Sequence, residues 1–152
     1  WQASQVVYRD YLKAIDMLPV GAKMTAVLAN DSGLSLPPTP LFEISMLAII
    51  RRQAAVPLLF SYPRDAAQGI RLTAKMEAMA AVAPPYKVET RLLEELRDPA
   101  VAARKSPYRP AALRPFDYLL LTNEKAIPLP VPDFLQPVYV GDNFRLLRVK
   151  LP

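Results

Sequence analysis

The sequence predicts an α/β fold, and three observations carry that expectation. Apolar residues recur at helical spacing near the start of the chain. Short runs that read as buried strands then alternate with helical stretches, the pattern of a layered α/β domain. The end reads as a strand, a proline-rich crossing and a hairpin. The length of 152 residues fits one domain, since a chain of that size can bury about 70% of its unfolded surface. The composition, 52% apolar and 22% charged, is that of a globular protein rather than a disordered one. Proline departs from the norm, with 17 residues set mainly between apolar runs, where the usual share is about 5%. Long, stiff connections are expected.

The elements can be justified in order. Over residues 3–18, Val7, Tyr11, Ile15 and Leu18 fall on one side of a helix, with Arg9, Asp10, Lys13 and Asp16 between them, which predicts an amphipathic helix. Pro19-Val20-Gly21 stops it. Met24 to Ala29 is a short apolar run closed by the turn cluster Asn30-Asp31-Ser32-Gly33, and predicts a buried strand. Thr39 and Pro40 can start a helix that runs to about Gln53, with Glu43 in its first turn and Arg51-Arg52 in its last. Its interior is apolar nearly all round, so deep packing is expected. Val56 to Tyr62 predicts a second strand, broken by Pro63-Arg64-Asp65, and Pro57 is tolerated because it lies near the start.

Two helical stretches follow, Thr73 to Ala83 and Glu89 to Arg97, the latter with Leu92, Leu93 and Leu96 on one side. A loop interrupted by prolines and basic residues is expected from there to Phe116. Leu119-Leu120-Leu121 predicts a third buried strand. Val138-Tyr139-Val140 and Phe144 to Val149 predict a hairpin across Gly141-Asp142-Asn143. Its second strand alternates Phe144, Leu146 and Arg148 against Arg145, Leu147 and Val149. The first three strands are too far apart for hairpins, so they should be parallel and joined by right-handed crossovers. The expected architecture is a three-layer sandwich on a mostly parallel, Rossmann-like sheet with a C-terminal antiparallel hairpin, forming one domain over 1–152.

Several chemistries are excluded by composition. With no cysteine and no histidine, the chain can build no disulfide, thiolate cluster, cysteine nucleophile or Ser-His-Asp triad. The 14 acids are scattered, and the adjacent pair Glu94-Glu95 lies on an expected helix. No catalytic residue, cofactor-binding residue or metal ligand is assigned. A glycine-rich phosphate loop is absent, so the expected topology implies no cofactor. The charge of +5 is concentrated at Arg97, Arg104, Lys105, Arg109 and Arg114 against Asp98. Such a stretch reads as a solvated loop or as a face near anionic headgroups. Nucleic acid is not expected, because only Tyr108 could stack among these cations. No apolar run is long enough to span a membrane; the longest, near Ile44 to Ile50, is flanked by charge.

In an open parallel sheet, ligands bind beyond the carboxyl ends of the strands. The polar residues there define a candidate crevice of Asn30, Asp31, Ser32, Tyr62, Arg64, Asp65, Asn123 and Glu124, with Asp31 and Arg64 as charged anchors. The competing explanation is ordinary turn chemistry, which uses these same residue types.

One resemblance covers most of the chain. Leu18-Pro19-Val20-Gly21-Ala22-Lys23-Met24, Ile49-Ile50-Arg51-Arg52-Gln53 through Phe60, Phe116-Asp117-Tyr118-Leu119-Leu120-Leu121, and Leu135-Gln136-Pro137-Val138-Tyr139 into Phe144-Arg145-Leu146-Leu147-Arg148-Val149 resemble the soluble C-terminal domain of bacterial multispanning membrane proteins. Those proteins are similar to GT-C-type glycosyltransferases, which take a sugar from a polyprenyl-phosphate carrier. The resemblance implies that catalytic acids lie in loops between transmembrane helices outside this chain, and that no functional residue transfers onto it. It also implies a non-catalytic accessory domain on the extracytoplasmic (periplasmic) side of the inner membrane, and the start at Trp1 inside a helical pattern, with no initiating methionine or signal peptide, adds the expectation that the chain is excised from a larger protein. Its partners would then be its own transmembrane domain, the membrane surface, and a glycan or lipid-linked sugar acceptor. Two alternatives stay open: a free-standing α/β enzyme or small-ligand binder using the strand-end crevice, and a partner-binding or oligomerising scaffold that extends a sheet from its hairpin edge.

Overall fold

A computed structural model describes residues 2–30, 45–56, 73–84, 87–142 and 144–152. The first helix, α1 (Gln2–Asp16), buries the stripe read from the sequence: Val7, Tyr11, Ile15 and, just past its end, Leu18. Gly21 follows at φ +77°, a conformation that side chains with a Cβ rarely adopt. The chain then enters β1 (Met24–Asn30). Residues 24–29 of that strand are all buried, as expected of a strand covered on both faces.

The next described helix, α2 (Met46–Arg52), ends at Gln53, whose φ of 51° gives a left-handed cap without glycine. Arg51 clamps Asp16 with Nε at 3.1 Å and Nη2 at 2.8 Å from Oδ1, and so ties α2 to the end of α1. The deep packing expected of α2 is corrected, because Ala48 is buried but Ile50 is 75% exposed. An all-apolar stretch does not reveal that only one of its sides meets the sheet.

Helix α3 (Ala74–Val82) starts where expected, with Thr73 Oγ1 accepting the Met76 N–H at 3.3 Å. A three-residue strand, β2 (Lys87–Glu89), leads into α4 (Thr90–Glu95). The interrupted loop expected after Arg97 instead holds two short helices, α5 (Pro99–Lys105) and α6 (Pro110–Leu113). Each opens with proline in its first turn, where the missing N–H costs nothing. For α5, the Asp98 carboxylate caps the Ala100 N–H at 2.8 Å. Strand β3 (Tyr118–Thr122) is buried throughout, and a 3₁₀ turn (Glu124–Ala126) follows it. Strands β4 (Leu135–Val140) and β5 (Phe144–Val149) form the terminal hairpin.

Among the described residues the strands make one five-stranded sheet in the order β2-β1-β3-β5-β4. Strand β1 pairs in parallel with β2 and β3, while β5 runs antiparallel to both β3 and β4. The coarse α/β assignment therefore stands, and the mostly parallel, Rossmann-like, three-layer description gives way to a mixed sheet. The reason is that the hairpin contributes as many antiparallel pairings as the interior contributes parallel ones. The strand expected at Val56–Tyr62 lies outside the described residues beyond Val56. Ala55, just before it, bridges Lys23 in parallel, with Met24 N–H donating to the Ala55 carbonyl at 3.0 Å.

Alternation along the strands sorts the core into two clusters. Met24, Ala26 and Leu28 join Leu120, Phe144 and Leu146 under α1 and α2. Val27 and Ala29 join Leu119, Leu121 and Leu147 with Leu93, Tyr108 and Leu113 on the other side. The hairpin alternation read from the sequence is the one observed. At the entrance to β3, Asp117 Oδ2 accepts the Lys23 N–H at 2.9 Å and so fixes the start of β1 against the start of β3. The outer edge at β4 carries Pro137 and a register shift between Pro137 and Tyr139, features that blunt an edge against pairing with another sheet.

Candidate functional site

The expected strand-end crevice is represented by only three of its residues. Asn30 ends β1, in register with Glu89 of β2, and Glu124 opens the 3₁₀ turn. Asp31, Ser32, Tyr62, Arg64 and Asp65 lie outside the described residues. Asn123 plays a local structural role. At φ 55°, its Nδ2 donates to the Ala29 carbonyl at 3.3 Å, which joins the end of β3 to the end of β1. Asparagine tolerates that left-handed backbone better than most residues. This contact is of the kind that closes a turn.

The described residues do form an open groove of about 540 Å³, one side of which carries part of the basic stretch singled out in the sequence. One wall is α5 together with the turn into α6, and the other is the segment from Pro128 to Phe134. Asp98 and Pro99 set the first wall by starting α5, and Ser106 ends it, its Oγ accepting the Tyr108 N–H at 3.1 Å. The second wall is held by the Pro132 carbonyl, which accepts the Leu135 N–H at 2.9 Å, and by the Phe134 carbonyl, which accepts the Lys150 N–H at 2.8 Å. Buried Leu96 and Tyr108 line the groove from the cluster beneath. Five of the lining residues are prolines, which offer no N–H and hold a stiff backbone.

The charged residues that line this groove are Arg97 and Arg109. Neither makes an ion pair among the described residues, and the Arg109 Nε is buried with no hydrogen-bond partner. Lys105, nearby on α5, is different. It reaches Glu95 Oε2 at 2.8 Å, while Arg91 Nε meets Oε1 of the same carboxylate at 3.2 Å. The hydrogen bond and charge of Lys105, helped by Arg91, hold the Glu95 carboxyl below its ordinary range. Glu95 thus neutralises cations outside the groove and leaves those inside it uncompensated. The basic excess from Arg97 to Arg114 is legible in the sequence. That Pro128 to Phe134 closes against it is not, because the two segments meet only through the fold.

A second polar cluster joins α1 to the hairpin. The Tyr139 hydroxyl donates to Asp10 Oδ1, and Asp10 Oδ2 is buried without a hydrogen-bond partner beside Gly141. Holding its proton against the Asp10 carboxylate pushes the Tyr139 pKa up to about 12, with desolvation adding to the effect. Because the folded value is raised above the ordinary tyrosine value near 10, this contact stabilises the fold fully below pH 10 and is lost as pH rises towards 12. An ultraviolet absorbance titration should therefore show one tyrosine ionising near pH 12, and Asp10→Ala should return it towards 10. An unchanged titration in Asp10→Ala would remove the carboxylate as the cause.

Among the described residues no three acidic side chains lie together in a way that could hold a metal ion, and no helix is long and apolar enough to cross a membrane. No protein-family model, curated protein or solved structure matches the chain.

Proposed function

We propose that this chain is a non-catalytic extracytoplasmic module of a bacterial multispanning membrane protein of the glycosyltransferase type, lying on the periplasmic side of the inner membrane. Its role is to position an acceptor or to pack on the membrane domain, with chemistry supplied by acidic loops elsewhere in the parent protein. The observation that carries this reading is the arrangement of the segments behind the resemblance. The stretches entering β1, β3 and the β4–β5 hairpin, separated by as many as about a hundred residues, form four adjacent strands of one sheet. Segments that share a recognisable pattern also share a structural unit. The groove of apolar residues and arginines, which offers binding surface but no carboxylate, agrees with a positioning role.

Its partners in this reading are its own transmembrane domain and a glycan or lipid-linked sugar. The reading frame upstream of Trp1 provides the first test, since it should encode several apolar segments of about 20 residues. A frame that begins at or near this domain without such segments sinks the proposal.

A further inference from the structure

We infer that the groove between α5 and the Pro128–Phe134 segment is a docking site for the headgroup region of an anionic phospholipid, with Arg97 and Arg109 meeting the phosphate. The inference rests on the proposed function and deepens it by naming the ligand of a surface which that reading leaves unspecified. Charge complementarity selects an anion: Arg97 and Arg109 line the groove without an ion pair among the described residues, and no carboxylate is among the lining residues. The buried, unpartnered Nε of Arg109 adds a donor that a phosphate oxygen can satisfy.

The rest of the groove selects an amphiphile. Leu129, Phe134 and the prolines at 99, 110, 128, 130 and 132 present apolar surface, and a glycerol and upper acyl region can bury against it without needing hydrogen bonds. An extended peptide is served poorly here, because its carbonyls need donors and the five prolines supply none. The wide opening suits a headgroup approached from a bilayer plane. Arg104 and Arg114 are also without ion pairs among the described residues, so with Arg97 and Arg109 the cations of this region outnumber the unpaired Asp98 and Asp133 beside the groove and favour approach to an anionic surface.

The test is co-sedimentation of the 152-residue chain with vesicles of phosphatidylglycerol and phosphatidylcholine, and with phosphatidylcholine alone. Binding should require the anionic lipid and weaken as salt is raised. Arg97→Gln with Arg109→Gln should weaken it about 30-fold, equal to about 2 kcal/mol at about 1.4 kcal/mol per tenfold, the scale of two arginines near an anionic surface. Arg97→Gln alone, at an exposed position, should cost about 5-fold and keeps the test decisive if the double variant does not fold. The control is Arg9→Gln with Lys13→Gln, which removes the same charge from α1 over the opposite sheet face and should change binding by no more than about 2-fold, beyond the reach of screened charge.

Equal losses in the two pairs would assign binding to diffuse charge and overturn the site. No binding to anionic vesicles overturns it as well, and so does a preference for a soluble polyglutamate peptide over vesicles. Because the measurement uses this chain alone, a failure here leaves the upstream-span test of the parent protein untouched, and the reverse also holds.

Discussion

Replacing Phe144 by alanine should cost about 3–5 kcal/mol, the usual penalty for emptying a buried aromatic site. Phe144 begins β5, is 2% exposed, and packs its ring edge-to-face on Tyr11 with centroids 5.1 Å apart at 68°. Because Tyr11 belongs to α1 and Phe144 to the last hairpin, the pair joins the two ends of the chain across one core cluster. The lost area, the ring-pair geometry and the cavity left behind all act in the same direction. A domain of this size has a stability of about 5–15 kcal/mol, so the variant should be marginal. In urea, with a slope of about 2 kcal/mol per molar, the midpoint should fall by about 2 M. Val140→Ala, on the same hairpin but 59% exposed, should move it by less than about 0.3 M. Equal shifts in the two variants would mean that the hairpin does not seal the core under α1.

Gly141→Ala should be the next most damaging change, at about 1–3 kcal/mol. A Cβ at this position would lie 2.7 Å from both Cγ and Oδ1 of Asp10, closer than a carbon can sit. Asp10 has little freedom to yield, since its carboxylate holds the Tyr139 hydroxyl and its other oxygen is buried. The clash and the lost hydrogen bond are therefore one event. Asp10→Ala should in consequence suppress the cost: adding Gly141→Ala in that background should take no more than a few tenths of a kcal/mol, a strong departure from additivity. Chemical denaturation of the two single variants and the double variant measures the coupling. Additive costs would show that Gly141 is required for a reason other than room for Asp10.

How much of the fold is legible in the sequence depends on the element. Helix α1 can be read because Val7, Tyr11, Ile15 and Leu18 repeat at helical spacing between charged residues. The hairpin can be read because Phe144 and Leu146 alternate with Leu147 and Val149 about a turn. Strand β2 cannot, since its three residues, Lys87, Val88 and Glu89, carry too little periodicity to separate from the helix that follows. Helix α5 has its signal in plain view, an Asp98 cap followed by Pro99, yet the prolines and cations around it look like interruptions rather than starts. The apolar run of α2 hides its orientation, and Ile50 faces solvent. Of the candidate site, the cationic excess is visible, while the opposing wall is not, because Leu129 and Phe134 are distant in sequence from Leu96 and Tyr108 and join them only in the folded cluster. At the strand ends the sequence is ambiguous by nature, because a residue type that binds ligands, such as Asn123, also closes turns.

Whether this domain lies, as proposed, on the extracytoplasmic side of a membrane-spanning protein can be read from protease accessibility in the native cell. An antibody against the domain should detect a polypeptide much larger than 16.9 kDa, the mass of this chain. That polypeptide should remain in the membrane pellet after alkaline washing and lose this domain when protease is added to the outside of spheroplasts. A 16.9 kDa species released with the soluble fraction, or a membrane-bound one protected until the inner membrane is broken, would contradict the account.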